Sequence, residues 1–181
     1  MKYVLETQRC KMREMQPEDG PVFYLLNLDP DVIRYTGDAP FESEMAAIEF
    51  LKKYDAYKKY GMGRWVVENK EDGTILGWCG LKYLPQDREV DIGYRFFKKY
   101  WGQGYATETA NRCIQHGFED LELTRIIGRS AVANLASLRV LEKCGLKFDK
   151  FNDVFGEESV QHVINKAEYL AFKKFIKKDI N

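Results

Sequence analysis

A chain of 181 residues can bury one sizeable core and has little room for a second, so a single domain over 1–181 is expected. The 28 Lys and Arg equal the 28 Asp and Glu, which removes any global field that would draw the chain onto nucleic acid or an anionic membrane. Cys10, Cys79, Cys113 and Cys144 are widely spaced with no C-x-x-C pair, which argues against a metal site or a disulfide framework; with no signal-like or membrane-length apolar run, a soluble cytoplasmic protein is expected.

Cys10 to Met15 alternates as a strand, and Pro17-Glu18-Asp19 opens a helix carrying Val22, Phe23, Leu25, Leu26 and Leu28. A second helix starts near Ser43 and sets Met45, Ile48, Leu51 and Tyr54 at helical spacing. Three strand-like runs follow, Arg64 to Asn69, Thr74 to Tyr83 and Glu89 to Phe97, separated by the turns Glu71-Asp72-Gly73 and Leu84-Pro85-Gln86-Asp87. They read as an antiparallel meander. In the third run Val90, Ile92, Tyr94 and Phe96 share one face, while Glu89, Asp91, Gly93 and Arg95 share the other. Ala106, Ala110, Cys113, Ile114, Gly117, Phe118 and Leu121 then form the apolar stripe of a long helix. A strand over Arg125 to Ala131 precedes a helix capped by Asn134, bearing Leu135, Leu138, Leu141 and Cys144 and ended by Gly145. Strands near Lys147 to Asp153 and Val160 to Lys166 lead into a basic amphipathic helix with Tyr169, Leu170, Phe172, Phe175 and Ile176. The whole is an α+β domain with a mixed, largely antiparallel central sheet flanked by helices.

Between the third strand and the long helix lies Tyr100-Trp101-Gly102-Gln103-Gly104-Tyr105-Ala106-Thr107-Glu108. A glycine loop entering a helix can turn unpaired N–H groups toward an anion, and the helix dipole adds about 0.3–1 kcal/mol per favourable charge. The loop lacks the lysine and hydroxyl of a nucleoside-triphosphate P-loop. Thr107 stands where a dinucleotide fingerprint needs Gly or Ala, and antiparallel strands precede it. Taken alone, the two glycines also suit an ordinary strand-to-helix turn.

The stretch from Asp91 to Glu108, read together with Asn134-Leu-Ala-Ser-Leu-Arg-Val-Leu-Glu-Lys-Cys-Gly-Leu-Lys-Phe, resembles the GNAT superfamily of acyl-CoA-dependent N-acetyltransferases. Thr7-Gln-Arg-Cys-Lys-Met-Arg-Glu-Met and Pro17-Glu-Asp extend the likeness to the branch of ribosomal-protein N-terminal acetyltransferases. The resemblance implies acetyl-CoA as acyl donor, no metal, and an amine acceptor such as a protein N-terminus. It places the donor's pyrophosphate on the amides from Gly102 through Gln103, Gly104, Tyr105 and Ala106 to Thr107. It runs the pantetheine arm along the backbone of Tyr94, Arg95 and Phe96, with Asn134 contacting the arm. Trp101 stands where the family loop often begins with Gln or Arg. The aromatic richness of the chain is compatible with a homodimer interface.

For chemistry, the resemblance points to Ser137, three residues after the asparagine, as the group near the thioester sulfur. The tyrosine that many relatives carry as general acid is here Leu141. Asn134 and Ser137 also suit a helix cap and a first-turn polar residue. A base must take the amine proton, and Glu89 or Asp91 on the strand before the loop could do so; Glu89 is preferred. Arg129 replaces a glutamate that serves some relatives. His116 reads as structural, and His162 sits on a late strand that could border the acceptor groove. Two rival readings stay open: a non-catalytic acyl-CoA-binding or sensing module, which the missing tyrosine would suit, and a partner-binding protein that docks through its basic C-terminal helix.

Overall fold

The computed structural model describes residues 2–154 and 157–179. Strands β1 (Tyr3–Glu6), β2 (Cys10–Glu14), β3 (Arg64–Asn69), β4 (Ile75–Leu84), β5 (Glu89–Phe96), β6 (Arg125–Ala131), β7 (Lys147–Val154) and β8 (Glu157–Asn165) form one eight-stranded sheet among the described residues, in the order β1-β2-β3-β4-β5-β6-β8-β7. Every pairing is antiparallel except β5 with β6, so the expected mixed, largely antiparallel sheet is found. The helices are α1 (Gly20–Leu28), α2 (Pro30–Ile33), α3 (Glu44–Lys52), α4 (Ala56–Tyr60), α5 (Tyr105–Glu119), α6 (Leu135–Lys143) and α7 (Lys166–Asp179).

The two sheet faces bury different sets of side chains. On one, α5 lays Ala110, Cys113, Ile114 and Phe118 against Trp65, Cys79, Leu81, Ile92 and Ile126, which makes the larger core. On the other, Phe23 of α1 and Leu51 of α3 cover Val66, with Phe41 and Trp78 packed beside them. The period-two reading of β5 holds: Val90, Ile92 and Phe96 are buried on the α5 side. Arg13 pins β2 to its neighbours from within. Its guanidinium binds Glu68 of β3 through Nε at 2.6 Å and Asp19, just before α1, through Nη2 at 2.7 Å.

Several expectations are corrected in detail. The α3 stripe was expected to include Met45, which is 61% exposed; Ala47 and Leu51 take the buried positions. Leu135 begins α6 outside the core, with Leu141 and Cys144 buried further along. Tyr3–Glu6, α2 and α4 are elements that periodicity did not reveal, being too short to complete a pattern. In α7 the side chain of Ile176 lies outside the described residues.

Candidate active site

Strands β5 and β6 meet at a single residue pair, Asp91 with Ile127, and part beyond it. On its other side β5 is fully paired with β4, from Glu89 opposite Leu84 to Phe96 opposite Gly77. The residues of β5 after Asp91 therefore present one paired edge and one edge open to the gap. A cavity of about 520 Å³ lies at this parting, lined by Asp91, Gly93, Tyr94, Arg95, Asn134 and Ser137 among others.

The glycine loop follows the open-edged part of β5 in the chain. After Phe96 the chain makes a short 3-10 turn over Lys98–Tyr100, and Trp101 folds back so that its Nε1 donates to the Phe96 carbonyl at 2.8 Å. Gly102 at φ +73° and Gly104 at φ +83° then turn the backbone through the left-handed region, which carries a steric penalty for any residue with a Cβ. Nothing stands within 4 Å of where a Gly102 Cβ would project. The first intrahelical bond of α5 runs from Glu108 N to Gly104 O at 3.0 Å, so the amides of Tyr105, Ala106 and Thr107 precede the helix ladder. Gly104 offers no side-chain cap to them.

Arg9, in the turn between β1 and β2, supports the loop from outside and was not anticipated from sequence. Its Nε binds Glu108 Oε2 at 2.7 Å, its backbone N–H binds Glu108 Oε1 at 2.9 Å, and Nη1 donates to the Gln103 carbonyl at 3.0 Å. The guanidinium also lies over the Tyr105 ring, 4.2 Å from its centroid. Desolvation works to raise the Glu108 pKa, but hydrogen bonds from Thr7 and Arg9 outweigh it and hold the carboxyl below its ordinary value. The sequence signal for Arg9 was only its place in the Thr7-to-Met15 stretch.

Asn134 caps α6 by accepting from Ser137 N at 3.1 Å through Oδ1, and its Nδ2 donors take no part in that cap. Ser137 meets Tyr94 across the gap. The phenol lies 3.0 Å from Ser137 Oγ and 2.9 Å from the Ser137 carbonyl, and one phenolic hydrogen can serve only one of them at a time. Burial pushes the Tyr94 phenol up from its usual pKa, so it stays protonated. Leu141, buried, lines the same cavity; a Cβ at Gly128 would stand 2.5 Å from Leu141 Cδ2, so α6 packs directly on the β6 backbone here.

The two carboxylates of β5 are separated by the fold. Asp91 lines the cavity with Ser137, its Oδ2 held by Arg64 Nη2 at 2.5 Å. Burial pushes its carboxyl up from the ordinary value against the pull of Arg64. Glu89 instead binds Arg125 Nε at 3.0 Å and lines a different cavity with Tyr83 and Leu123. Of the two carboxylates expected as candidate bases, Asp91 thus shares a cavity with Tyr94 and Ser137, and Glu89 does not. Arg95 turns its side chain to Asn27 at 2.6 Å and Asp38 at 2.5 Å, and Phe96 buries its ring in the core. Gln103 Nε2 returns to the Lys99 carbonyl at 2.8 Å. His116 pairs with Asp120 at 2.7 Å and sits edge-on to Trp65. His162 lies in β8 opposite Gly128 and outside the cavity, with Nδ1 buried and unpartnered among the described residues.

Among the described residues no cluster of three or more His, Cys, Asp or Glu could hold a metal, and no helix is long and apolar enough to cross a membrane.

A sheet parted between two parallel strands, with a glycine turn opening a helix at the parting, defines an acetyltransferase fold. The family model for the acetyltransferase (GNAT) domain matches residues 9–147, and the chain belongs to that family. It is 34% identical over 152 residues to the uncharacterised protein YkkB of Bacillus subtilis, covering 81% of this chain and 86% of that one. It is 29% identical over 188 residues to an FsC-acetyl coenzyme A-N(2)-transacetylase of Aspergillus fumigatus, covering 94% and 79%. Among solved structures, a spermidine N-acetyltransferase from Vibrio cholerae in complex with CoA and spermine shares the fold at a TM-score of 0.74 and 21% identity, covering 90% of this chain and 98% of that one.

Proposed function

We propose that the protein transfers an acetyl group from acetyl-CoA directly to a primary amine. The observation that carries this reading is the open edge of β5 leading to an uncapped glycine turn at the head of α5. An exposed strand edge suits the amides of a pantetheine arm, and unpaired helix-terminal N–H groups suit a pyrophosphate. Both the Aspergillus relative's name and the Vibrio neighbour's bound ligand point to a CoA donor.

Residues of the cavity and of the glycine turn divide the reaction among them. Tyr94 to Phe96 and Asn134 align the arm, and the amides of Gly102 to Thr107 hold the phosphates. The donor supplies an activated acetyl carbon. Asp91 takes the amine proton, directly or through one water, as the nitrogen bonds to that carbon and the carbon–sulfur bond breaks. Burial raises its pKa against the pull of Arg64, which makes the carboxylate a stronger base than an exposed one. Ser137 Oγ–H gives a proton to the departing sulfur and regains one from solvent water, in place of the tyrosine whose position Leu141 occupies, and Tyr94 fixes the serine's orientation.

Titration calorimetry with acetyl-CoA on the pure protein tests the donor, and a thiol-release assay over amines and N-terminal peptides tests transfer. Absence of acetyl-CoA binding would sink the reading. Binding without turnover of any acceptor would leave the sensing alternative standing.

A further inference from the structure

The acceptor side of the cavity is built between the sheet face that carries Trp78 and the helical layer of α1 and α3. Its walls are aromatic: Phe23, Tyr35, Phe41, Phe50, Tyr54 and Trp78 all reach it. Phe41 and Phe50 stand 5.6 Å apart at a tilt of 53°, and Phe50 stands 6.3 Å from Tyr54, forming a continuous row of rings. Phe50 nevertheless remains 49% exposed, so the row is open to something that would cover it.

The charges of the same cavity are arranged against a polycation. Arg64, Lys82, Arg95 and Arg129 line it against only two carboxylates, Asp38 and Asp91. Both carboxylates are already bound, Asp38 to Arg95 and Asp91 to Arg64, each at 2.5 Å. A polyamine carries protonated nitrogens beyond the one that reacts, and in this cavity they meet four cationic side chains with no carboxylate left unpaired to offset them. An aromatic ring asks for no counter-charge. It gains from rings packed tilted or offset, and from guanidinium groups of the kind that flank Trp78, each 5.4 Å from its ring.

We infer that the acceptor is a monoamine carried on an aromatic body, an arylalkylamine or a close analogue, and not a polyamine. This inference rests on the acetyltransferase reading above and narrows its acceptor. The acceptor ring sits along Phe41 and Phe50, and its single amine reaches toward Asp91 and the Tyr94–Ser137 pair.

The test is a thiol-release assay with acetyl-CoA and the full chain, comparing 2-phenylethylamine and tyramine with spermidine, spermine and a peptide bearing a free N-terminal serine. At least one aryl amine should show kcat/KM tenfold or more above both polyamines and the peptide. Phe50→Ala, at a half-exposed position and with its fold checked by an unchanged circular dichroism spectrum, should raise KM for that amine about fivefold or more and leave KM for acetyl-CoA unchanged. Equal or better turnover of a polyamine or of the peptide overturns the inference, as does an unchanged amine KM in Phe50→Ala. Failure of every amine overturns it too, and calorimetry separates the causes: acetyl-CoA binding would locate the fault in the acceptor class, and its absence in the acetyltransferase reading itself.

Discussion

Gly104 holds φ at +83° at the head of α5, and the nearest atom to a Cβ built there is Arg9 Nη2 at 3.5 Å. There is space for a side chain but no comfortable backbone for one, since a left-handed conformation costs an L-residue roughly 1–2 kcal/mol. Gly104→Val is therefore expected to weaken acetyl-CoA binding about tenfold or more by moving the turn, with calorimetry on a variant of unchanged circular dichroism as the measurement. Unchanged affinity would put the donor elsewhere. Ser137→Ala removes one hydroxyl from the Tyr94 contact and leaves the Asn134 cap intact, because the cap uses the Ser137 backbone N–H. It should lower kcat roughly a hundredfold, the low end for proton transfer by a positioned group, while KM for acetyl-CoA stays constant. Equal kinetics would reduce Ser137 to a helix residue. Gly104 stood out in the sequence because the strand, turn and helix around it are local, and Ser137 did so through the family resemblance. The difference between Glu89 and Asp91 did not, because it depends on where two strands part, and that is set by β6, more than thirty residues further along.

At the scale of elements, the longer strands and helices were legible because each repeats its own period: β3 to β6 fall within a residue or so of the expected spans. What joins them was not. Arg9 and Glu108 are 99 residues apart in sequence, and neither carries a local sign of the other. Arg9→Ala should loosen the loop from below, and a severalfold loss of acetyl-CoA affinity with no change in thermal midpoint is expected; a fall in stability without loss of affinity would make Arg9 a structural brace only. Arg13 is the buried counterpart. Truncation to Met would strand Asp19 and Glu68 without their cation, and leaving such a charge unpaired costs about 3–5 kcal/mol. For a chain of this length that corresponds to a thermal midpoint lower by roughly 10 °C, which calorimetry would read directly. An unchanged midpoint would mean that the two carboxylates find other donors.

Across the whole molecule, stability is tied to pH through a group outside the cavity. Desolvation lowers the pKa of His162, with a smaller opposing pull from Glu142. The unfolded chain then takes up a proton near pH 6.5 that the folded chain refuses, so the contribution of this residue is full above that pH and is lost as pH falls below it. His162→Gln should flatten the fall of thermal midpoint between pH 7.5 and about 5 relative to the parent chain. Parallel slopes for the two proteins would show that the histidine does not contribute.

The single contact between β5 and β6 also changes what kind of sheet this is. A continuous open sheet has two edges, at β1 and β7 here, and proteins keep such edges short or covered because unpaired N–H and C=O groups template pairing with other chains. Parting in the middle adds two more edges, along β5 after Asp91 and β6 after Ile127, inside the molecule. In the proposed reaction the donor's arm would double as a cover strand for β5, and the empty form would be the one that stands open to intruding chains. Storage with CoA should slow its self-association, and solubility in the cell should follow the supply of the substrate that it consumes.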